Sequence, residues 1–336
     1  MSTMRRGFSY TKTRAIFVSY YRDGTWDSGR LQEDDHITIS AFSTAIHYGQ
    51  QAFEGLKAYR RKDGAINLFR YMDNGRHLMD SCERMVMPPV PLQLFDHAVK
   101  TTVLANEQYI PPYGTGESLY IRPLVIGLGP VLGAMPAKEY MFMVMVSPVG
   151  PYFEGGLKPV RMMATSYDRA APHGTGKAKC GGNYGGSFLP QKEARANGCA
   201  EALFLDPATH TYIDEAGAAN FFAISDKNEY VTPISSSILD SITQRSLKTL
   251  AQHKLGMTIV ERPIKLDEIG TFTEAGACGT AAVIAPIGEV LIGDKIIKIG
   301  PEGVGPISQR LYNLLLGIQV GDIADEFDWI TIIKQE

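Results

Sequence analysis

A chain of 336 residues with 44% apolar and 21% charged side chains has the make-up of a globular protein with enough material for two cores of ordinary size. A formal charge of −3, with no basic run interleaved with aromatics, points away from nucleic acid, and no stretch approaches eighteen consecutive apolar residues, so no membrane span is expected. Cys82, Cys180, Cys199 and Cys278 stand far apart without a CxxC pair, so neither a disulfide framework nor a metal centre is expected, and a reducing cytoplasm suits them.

The first fifteen residues, MSTMRRGFSYTKTRA, are basic and acid-free but lack the apolar core of a secretory signal. They read as a short arm into the first strand rather than a transit peptide. AIFVSYYRDGTWDSG then places Asp23-Gly24 between two β-rich runs, a hairpin signal, and GLKAYRRKDGAINLFR repeats the device with Asp63-Gly64 at its tip. DNGRHLMDSCERMVMPPVP predicts a helix in which Leu78, Cys82 and Met85 share a face and the prolines at 88 and 89 end it. A second helix is predicted over 95–108, and IPPYGTGESLYIRPLVIG returns to strand. SPVGPYFEGGL at 147–157 is rich in Pro and Gly and reads as a linker.

Beyond it come the strands EALFLD, TYIDEAG, NFFAIS and YVTPIS, then a helix in SITQRSLKTLAQHKLG. Ser241 with Gln244 three residues on predicts a capping box at its start, and Gly256 stands where a C-cap belongs. The elements describe an α+β chain of two domains: 1–147, a linker at 148–157, and 158–336.

The stretch GTGKAKCGGNYGGS, 174–187, packs six glycines and two lysines into fourteen positions. It is not a Walker loop, because Ala171 stands where the first glycine is required and Ala178 follows Gly176-Lys177 in place of Ser or Thr. No G-x-G-x-x-G opens a strand-to-helix turn, so a nucleotide-binding module is disfavoured. A flexible linker is disfavoured, because Asn183-Tyr184 and the following SFLPQKEA read as a helix entering a packed domain. The other reading is a reactive lysine, since glycines beside a lysine let the backbone approach a flat ligand, and such an amine condenses with an aldehyde as in enzymes of pyridoxal 5′-phosphate (PLP).

Six blocks support that reading: HYGQQAFEGLKAYR (47–60), LYIRPL (119–124), DRAAPHGTGKAKCGGNY (168–184), IDEAGAANFF (213–222), ILDSITQRSL (238–247) and ACGTAAVIAPIG (277–288). In this order and spacing the chain resembles the branched-chain amino-acid aminotransferases, PLP enzymes of fold type IV. The resemblance implies a two-domain fold, with a smaller N-terminal domain and a larger C-terminal one carrying the PLP lysine.

Residue by residue, the resemblance makes Lys179 the Schiff-base lysine, with Lys177 structural or solvent-facing. Tyr184 is similar to the tyrosine that bonds the cofactor's phenolic oxygen. Glu215 matches the acid paired with the pyridine nitrogen, where a carboxylate keeps that nitrogen protonated so the ring can accept electrons. Ile242 and Thr243, at a helix start whose free N–H groups favour a dianion, match one part of the phosphate site; Gly279 and Thr280 resemble the other. Thr280 and Ala281 would also hold the substrate α-carboxylate. Ser241 replaces a glycine often found before this helix. The family usually places a phosphate-clamping arginine eight residues after Phe69, but His77 stands there, with Arg76 one position earlier and about 100° away on the helix. His77 would bind phosphate more weakly and with more pH sensitivity, so His77→Arg is expected to tighten PLP.

The family's substrates are leucine, isoleucine or valine together with glutamate and 2-oxoglutarate. Strand alternation puts Tyr120 and Arg122 of LYIRPL on one face, which lets Arg122 reach a distal carboxylate. Tyr48, Phe53 and Tyr152 resemble the apolar pocket residues, with Phe53 and Gly55 on one strand face and Gly55 leaving room beside the ligand. Val131 and Leu132 lie in a loop that in relatives reaches the neighbouring subunit's pocket, so the resemblance implies a homodimer. Arg169 is expected to brace the backbone of the glycine-rich stretch. The rivals within the fold are a D-amino-acid or amine aminotransferase and a lyase acting on aminodeoxychorismate; a PLP-binding protein without catalysis is opposed by the presence of Lys179, Tyr184 and Glu215.

Overall fold

The computed structural model describes residues 9–151 and 156–334. The chain divides into two compact units, neither of them one continuous piece. Met1–Tyr152, Ala178–Gly181 and Ile318–Glu336 make the first, and Phe153–Lys177 with Gly182–Gly317 the second.

The first unit holds a nine-stranded sheet. Eight of its strands, in chain order, are β1 (Ile16–Arg22), β2 (Thr25–Trp26), β3 (Arg30–Gln32), β4 (Gln51–Phe53), β5 (Leu56–Arg60), β6 (Ile66–Phe69), β7 (Ser118–Gly127) and β8 (Tyr140–Val149). The ninth, Ile330–Ile333, pairs with β6, and the order across the sheet is then β6, β5, β7, β8, β1, β2, with β3 on β1 and β4 on β7. Asp23 and Gly24 both take positive φ, 52° and 83°, giving the two-residue turn whose twist suits flanking strands. The second hairpin forms around a longer loop at 61–65, with Gly64 at φ 84°.

Helices α1 (Thr44–Tyr48), α2 (Tyr71–Arg84) and α3 (Leu92–Ala105) also belong to this unit. α3 lies three residues before its predicted position. Its start follows Pro91, whose carbonyl accepts from Phe95 N–H, and its end is set by the fully buried Asn106. That amide bonds Ala15 and Thr102 carbonyls and the N–H groups of Arg14 and Ala15, and so cannot continue the helix. Leu78 and Cys82 of α2 with Phe95, Val99 and Val103 of α3 join Leu56, Leu68, Leu119, Ile121 and Phe142 of the sheet in one core. Burying each large side chain contributes about 1.5–3 kcal/mol.

The second unit has a mixed sheet of nine strands: β9 (Val160–Ala164), β10 (Glu201–Leu205), β11 (Ile213–Ala216), β12 (Ala219–Ile224), β13 (Glu229–Thr232), β14 (Thr258–Glu261), β15 (Glu274–Gly279), β16 (Val283–Ile292) and β17 (Lys295–Lys298). The order is β11, β10, β9, β16, β15, β12, β13, β14, with β17 on β16; β9 runs parallel to β10 and β16, and β13 to β14. The helices are α4 (Gly181–Gly185), α5 (Phe188–Ala196), α6 (Ile242–Leu255) and α7 (Pro306–Val320).

α6 starts and stops at the expected residues. Ser241 Oγ accepts from Gln244 N–H at 3.3 Å, and Gly256 takes the left-handed conformation at φ 64°. Only half of the predicted capping box forms, however. The Gln244 side chain turns inward, accepting from Tyr230 and from the Cys278 thiol and donating to Thr232, which satisfies its own buried amide.

Two boundaries differ from those expected. Residues 178–181, with Lys179, join the first unit through backbone hydrogen bonds described below, and 318–336 join it through the edge strand on β6. The predicted linker begins inside β8, and its residues 152–155 lie outside the described part of the chain, as does the arm at 1–8. All four cysteines are buried and unpaired. Among the described residues no helix is long and apolar enough to cross a membrane.

Candidate active site

Lys179 is held by its backbone. Its N–H donates to Ser81 Oγ on α2 at 2.9 Å, and its carbonyl accepts from Phe53 N–H at 2.9 Å. The side chain therefore leaves from a fixed point, and Nζ lies 5.3 Å from the centroid of the Phe53 ring. The Arg122 guanidinium lies over the same ring at 4.6 Å. One aromatic ring thus meets two cationic groups, each such contact contributing about 0.5–2 kcal/mol. Lys177, by contrast, is exposed.

Tyr120 and Arg122 do share a face of β7, and Arg122 Nη2 donates to Tyr120 Oη at 2.9 Å. Arg122 Nε is buried with no hydrogen-bond partner among the described residues. An unmade buried donor costs about 1–3 kcal/mol, so this edge of the guanidinium suits an incoming acceptor such as a carboxylate. Gly55 is not on a strand face with Phe53, because β4 ends at Phe53 and β5 begins at Leu56. Nor is the space beside Gly55 open. A Cβ there would lie 2.2 Å from Tyr120 Oη, so this glycine makes room for the tyrosine hydroxyl.

His77 is buried, and its Nδ1 lies 2.5 Å from Glu54 Oε1. Glu54 Oε2 accepts from Asn74 Nδ2 at 2.7 Å and from Gly55 N–H at 3.3 Å. Burial pushes the Glu54 carboxyl up, but the hydrogen bond from His77, the charge of Lys179 and the Asn74 bond together hold it below the usual range. His77 Nε2 is buried and has no partner among the described residues.

In the second unit Glu215 lies on β11, almost wholly buried. Its Oε1 accepts from Leu239 N–H at 2.6 Å and lies 3.2 Å from Arg169 Nη2. The same guanidinium donates to the Gly176 carbonyl at 3.0 Å and to the Ser237 carbonyl, so Arg169 braces the glycine-rich stretch and also pairs with Glu215. Strand alternation sends the neighbouring Asp214 the other way, onto Ser237 Oγ. Burial raises the Asp214 carboxyl above its usual range despite bonds from Ser237 and Ser235 and the Arg169 charge. Adjacent acids therefore have opposite surroundings, and Glu215 is the one paired with a cation.

Ile242 and Thr243 form the first two positions of α6 after its Ser241 cap, where backbone N–H groups have no partner within the helix. Gly279 ends β15, and Thr280 and Ala281 follow in the tight turn to β16. Val283 closes that turn at φ 63°, a conformation that costs a β-branched residue about 1–3 kcal/mol. Tyr184 lies half-buried on α4 beside Asn183, whose amide exchanges hydrogen bonds with Thr175 Oγ1 and the Thr175 carbonyl.

The glycines of 174–187 do not all open space for a ligand. A Cβ on Gly176 would lie 2.1 Å from the Ser237 carbonyl oxygen, and one on Gly181 would lie 2.3 Å from Gln51 Nε2, so both serve close protein packing. Gly182 and Gly185 face open space.

Tyr48 ends α1, and its hydroxyl donates to the Leu132 carbonyl; Val131 N–H donates to the Phe42 carbonyl at 2.9 Å. Tyr152 lies outside the described residues. Sequence reasoning assigned no role to Glu54, Asn74, Ser81 or the Leu239 amide. Glu54 and Leu239 stood in two of the matched blocks, HYGQQAFEGLKAYR and ILDSITQRSL, which was the signal available for them.

A family model described as amino-transferase class IV matches residues 51–290. The chain is 49% identical over 334 residues to a branched-chain-amino-acid aminotransferase of Haemophilus influenzae, covering 98% of this chain and 97% of that one. It is 47% identical over 326 residues to the corresponding protein of Helicobacter pylori, covering 96% and 95%. Among solved structures, a T.th. branched-chain amino acid aminotransferase with pyridoxamine 5′-phosphate superposes with a TM-score of 0.82 at 27% identity, covering 96% of this chain and 99% of that one. The Escherichia coli enzyme does so with 0.79 at 27%, covering 95% and 99%. With a family model over most of its length and relatives near half identity end to end, the chain belongs to the class IV aminotransferases, among the branched-chain-amino-acid aminotransferases of fold type IV.

Proposed function

We propose that this chain transfers the amino group of L-leucine, L-isoleucine or L-valine to 2-oxoglutarate with pyridoxal 5′-phosphate as cofactor. The observation that carries it is the Phe53 ring, over which Lys179 Nζ and the Arg122 guanidinium both lie. A reactive amine and a carboxylate reader thereby share one apolar wall, which suits a site that must take an aliphatic and an acidic substrate in turn.

The residues present fit the cofactor. Buried His77 Nε2, with no partner among the described residues, and the amides of the first turn of α6, which lack partners within the helix, suit a phosphate, and Glu215, anchored by Arg169 and Leu239, suits a ring nitrogen. Ile242, Thr243, Gly279, Thr280 and His77 would hold the phosphate, Tyr184 the phenolic oxygen and Glu215 the pyridine nitrogen. The bound cofactor supplies an aldehyde and an electron-accepting ring that makes the substrate Cα–H acidic. Lys179 Nζ would take the proton from the substrate Cα as general base and deliver it as general acid to the carbon that carried the cofactor's aldehyde. Arg122, oriented by Tyr120, binds the distal carboxylate of glutamate or 2-oxoglutarate, and Phe53 packs against the branched side chain. Tyr48 and Val131 would complete the side-chain end, and Thr280 with Ala281 would hold the α-carboxylate.

Purified protein with PLP, supplied with L-leucine and 2-oxoglutarate, should form glutamate. Turnover of D-leucine or of an amine, with none of L-leucine, would overturn the reading. We further propose a homodimer. Phe42, Ile46, Tyr48, Leu132 and Met135 are large, exposed apolar side chains on α1 and the loop bonded to it, a patch that supports an interface. Light scattering should then give twice the 36.9 kDa chain mass, and a monomer mass would refute it.

A further inference from the structure

His77 stands where the family resemblance places an arginine, and a carboxylate sets the state of its ring. Glu54 Oε2 is committed to two donors, Asn74 Nδ2 and Gly55 N–H, which leaves Oε1 facing His77 Nδ1 at 2.5 Å. A carboxylate can only accept, so Nδ1 must carry the hydrogen. In a neutral imidazole the other nitrogen, Nε2, then presents a lone pair. Only the imidazolium presents N–H there.

Two acids on the helices, Asp73 and Asp96, are engaged elsewhere. On α2, Asp73 pairs with Arg70 and Arg76. On α3, which packs against α2, Asp96 pairs with Lys100 and accepts from Tyr71. The Cys82 thiol is pushed up to about 12 by burial and stays neutral. Ser81 accepts from the Lys179 amide, and the Lys179 charge acts on Glu54.

We propose that Glu54 and His77 form a proton-coupled phosphate reader: with Nδ1–H committed to Glu54, Nε2 bonds a phosphate-ester oxygen only when the pair gains one further proton. Binding the ester therefore takes up a proton that an arginine at position 77 would not need. Glu54 is a positioning residue here, acting through His77. The inference rests on the cofactor reading above, because the ester in question is the phosphate of PLP.

The test uses pyridoxamine 5′-phosphate, which has no aldehyde and so cannot join Lys179. It is titrated calorimetrically into the full chain freed of cofactor, in buffers of different ionisation enthalpy. Above about pH 7 a phosphate ester is mostly dianionic, so it contributes little uptake of its own. Relative to His77→Arg, the native chain should take up close to one proton per chain as pH rises toward about 9. Its affinity should fall by up to about tenfold per pH unit at the top of that range, while the arginine variant stays level.

Glu54→Gln gives the sharper result. The amide oxygen should remain on Asn74 and Gly55, which are both donors, turning its NH2 toward Nδ1. The neutral ring then carries Nε2–H, so binding persists and the uptake disappears. A merely structural Glu54 would leave the uptake unchanged. Nitrogen NMR of the native His77 ring reads the same point without a variant: Nδ1–H with bare Nε2 before ligand, both protonated after. Equal uptake in native and His77→Arg chains would overturn the proposal while leaving the cofactor reading intact. No binding of the probe to the native chain would overturn both.

Discussion

Replacing Lys179 by alanine is expected to lower turnover of L-leucine with 2-oxoglutarate by at least about 10³-fold, because both the covalent anchor and the proton-moving base are lost. That corresponds to roughly 4 kcal/mol of the barrier. The loss should be chemical and not structural. The bonds that fix this segment, from Lys179 N–H to Ser81 and from Phe53 N–H to the Lys179 carbonyl, belong to the backbone and survive truncation. The thermal midpoint should therefore shift little, and PLP should still bind through its phosphate while losing the visible absorption of the lysine-linked form. Lys177→Ala is the matched control, since that side chain is exposed and two positions away, and its turnover should stay at the native level. Native-like turnover in the Lys179 variant, or a matching loss in the Lys177 variant, would remove Lys179 from the mechanism.

What could be read from the sequence was local or rested on matched blocks. The Asp23-Gly24 hairpin, the α6 caps at Ser241 and Gly256, and the Tyr120–Arg122 alternation follow from backbone preference and period, and all three form. What escaped depends on residues that come together only in the fold. Glu54 has no readable role until His77, 23 positions along, lies at hydrogen-bond distance. Gly176 looks like ligand clearance until the Ser237 carbonyl is found where its Cβ would be. Lys179 was expected with the C-terminal domain because the surrounding sequence continues there. Two backbone hydrogen bonds instead tie it to α2 and β4, and no periodicity encodes such a tie.

The half-formed capping box shows which effect wins when local and tertiary demands compete. A Gln244 side chain returned to the helix start would satisfy one N–H at the surface of α6. Turned inward, the buried amide is itself satisfied: its oxygen accepts from the Tyr230 hydroxyl and the Cys278 thiol, and its NH2 donates to Thr232 Oγ1. Leaving a buried polar group unpaired costs about 1–3 kcal/mol, whereas an N-terminal N–H can bond water, so the inward rotamer is preferred. The same accounting supports the proposal that His77 Nε2 and Arg122 Nε meet ligands, since both are buried and have no partner among the described residues.

Glu215→Gln should lower kcat by about 10²- to 10³-fold with PLP still bound, and the structure supplies the reason such a small change matters. Glu215 Oε1 meets two donors, Leu239 N–H at 2.6 Å and Arg169 Nη2 at 3.2 Å. In the glutamine variant only the carbonyl oxygen can meet those donors, so the NH2 is forced into the position of Oε2. A group that accepts from a protonated ring nitrogen then becomes one that donates to an unprotonated nitrogen, and the ring loses much of its capacity to accept electrons from Cα. The volume is nearly unchanged and the Leu239 contact persists, so stability and the Kd for PLP should move little while kcat falls. Arg169→Lys offers an independent check, because it keeps a charge near Glu215 but cannot span both the carboxylate and the Gly176 and Ser237 carbonyls. It should loosen the glycine-rich segment and raise KM more than it lowers kcat. A glutamine variant within about threefold of native kcat would show that the charge on Glu215 does not drive the reaction.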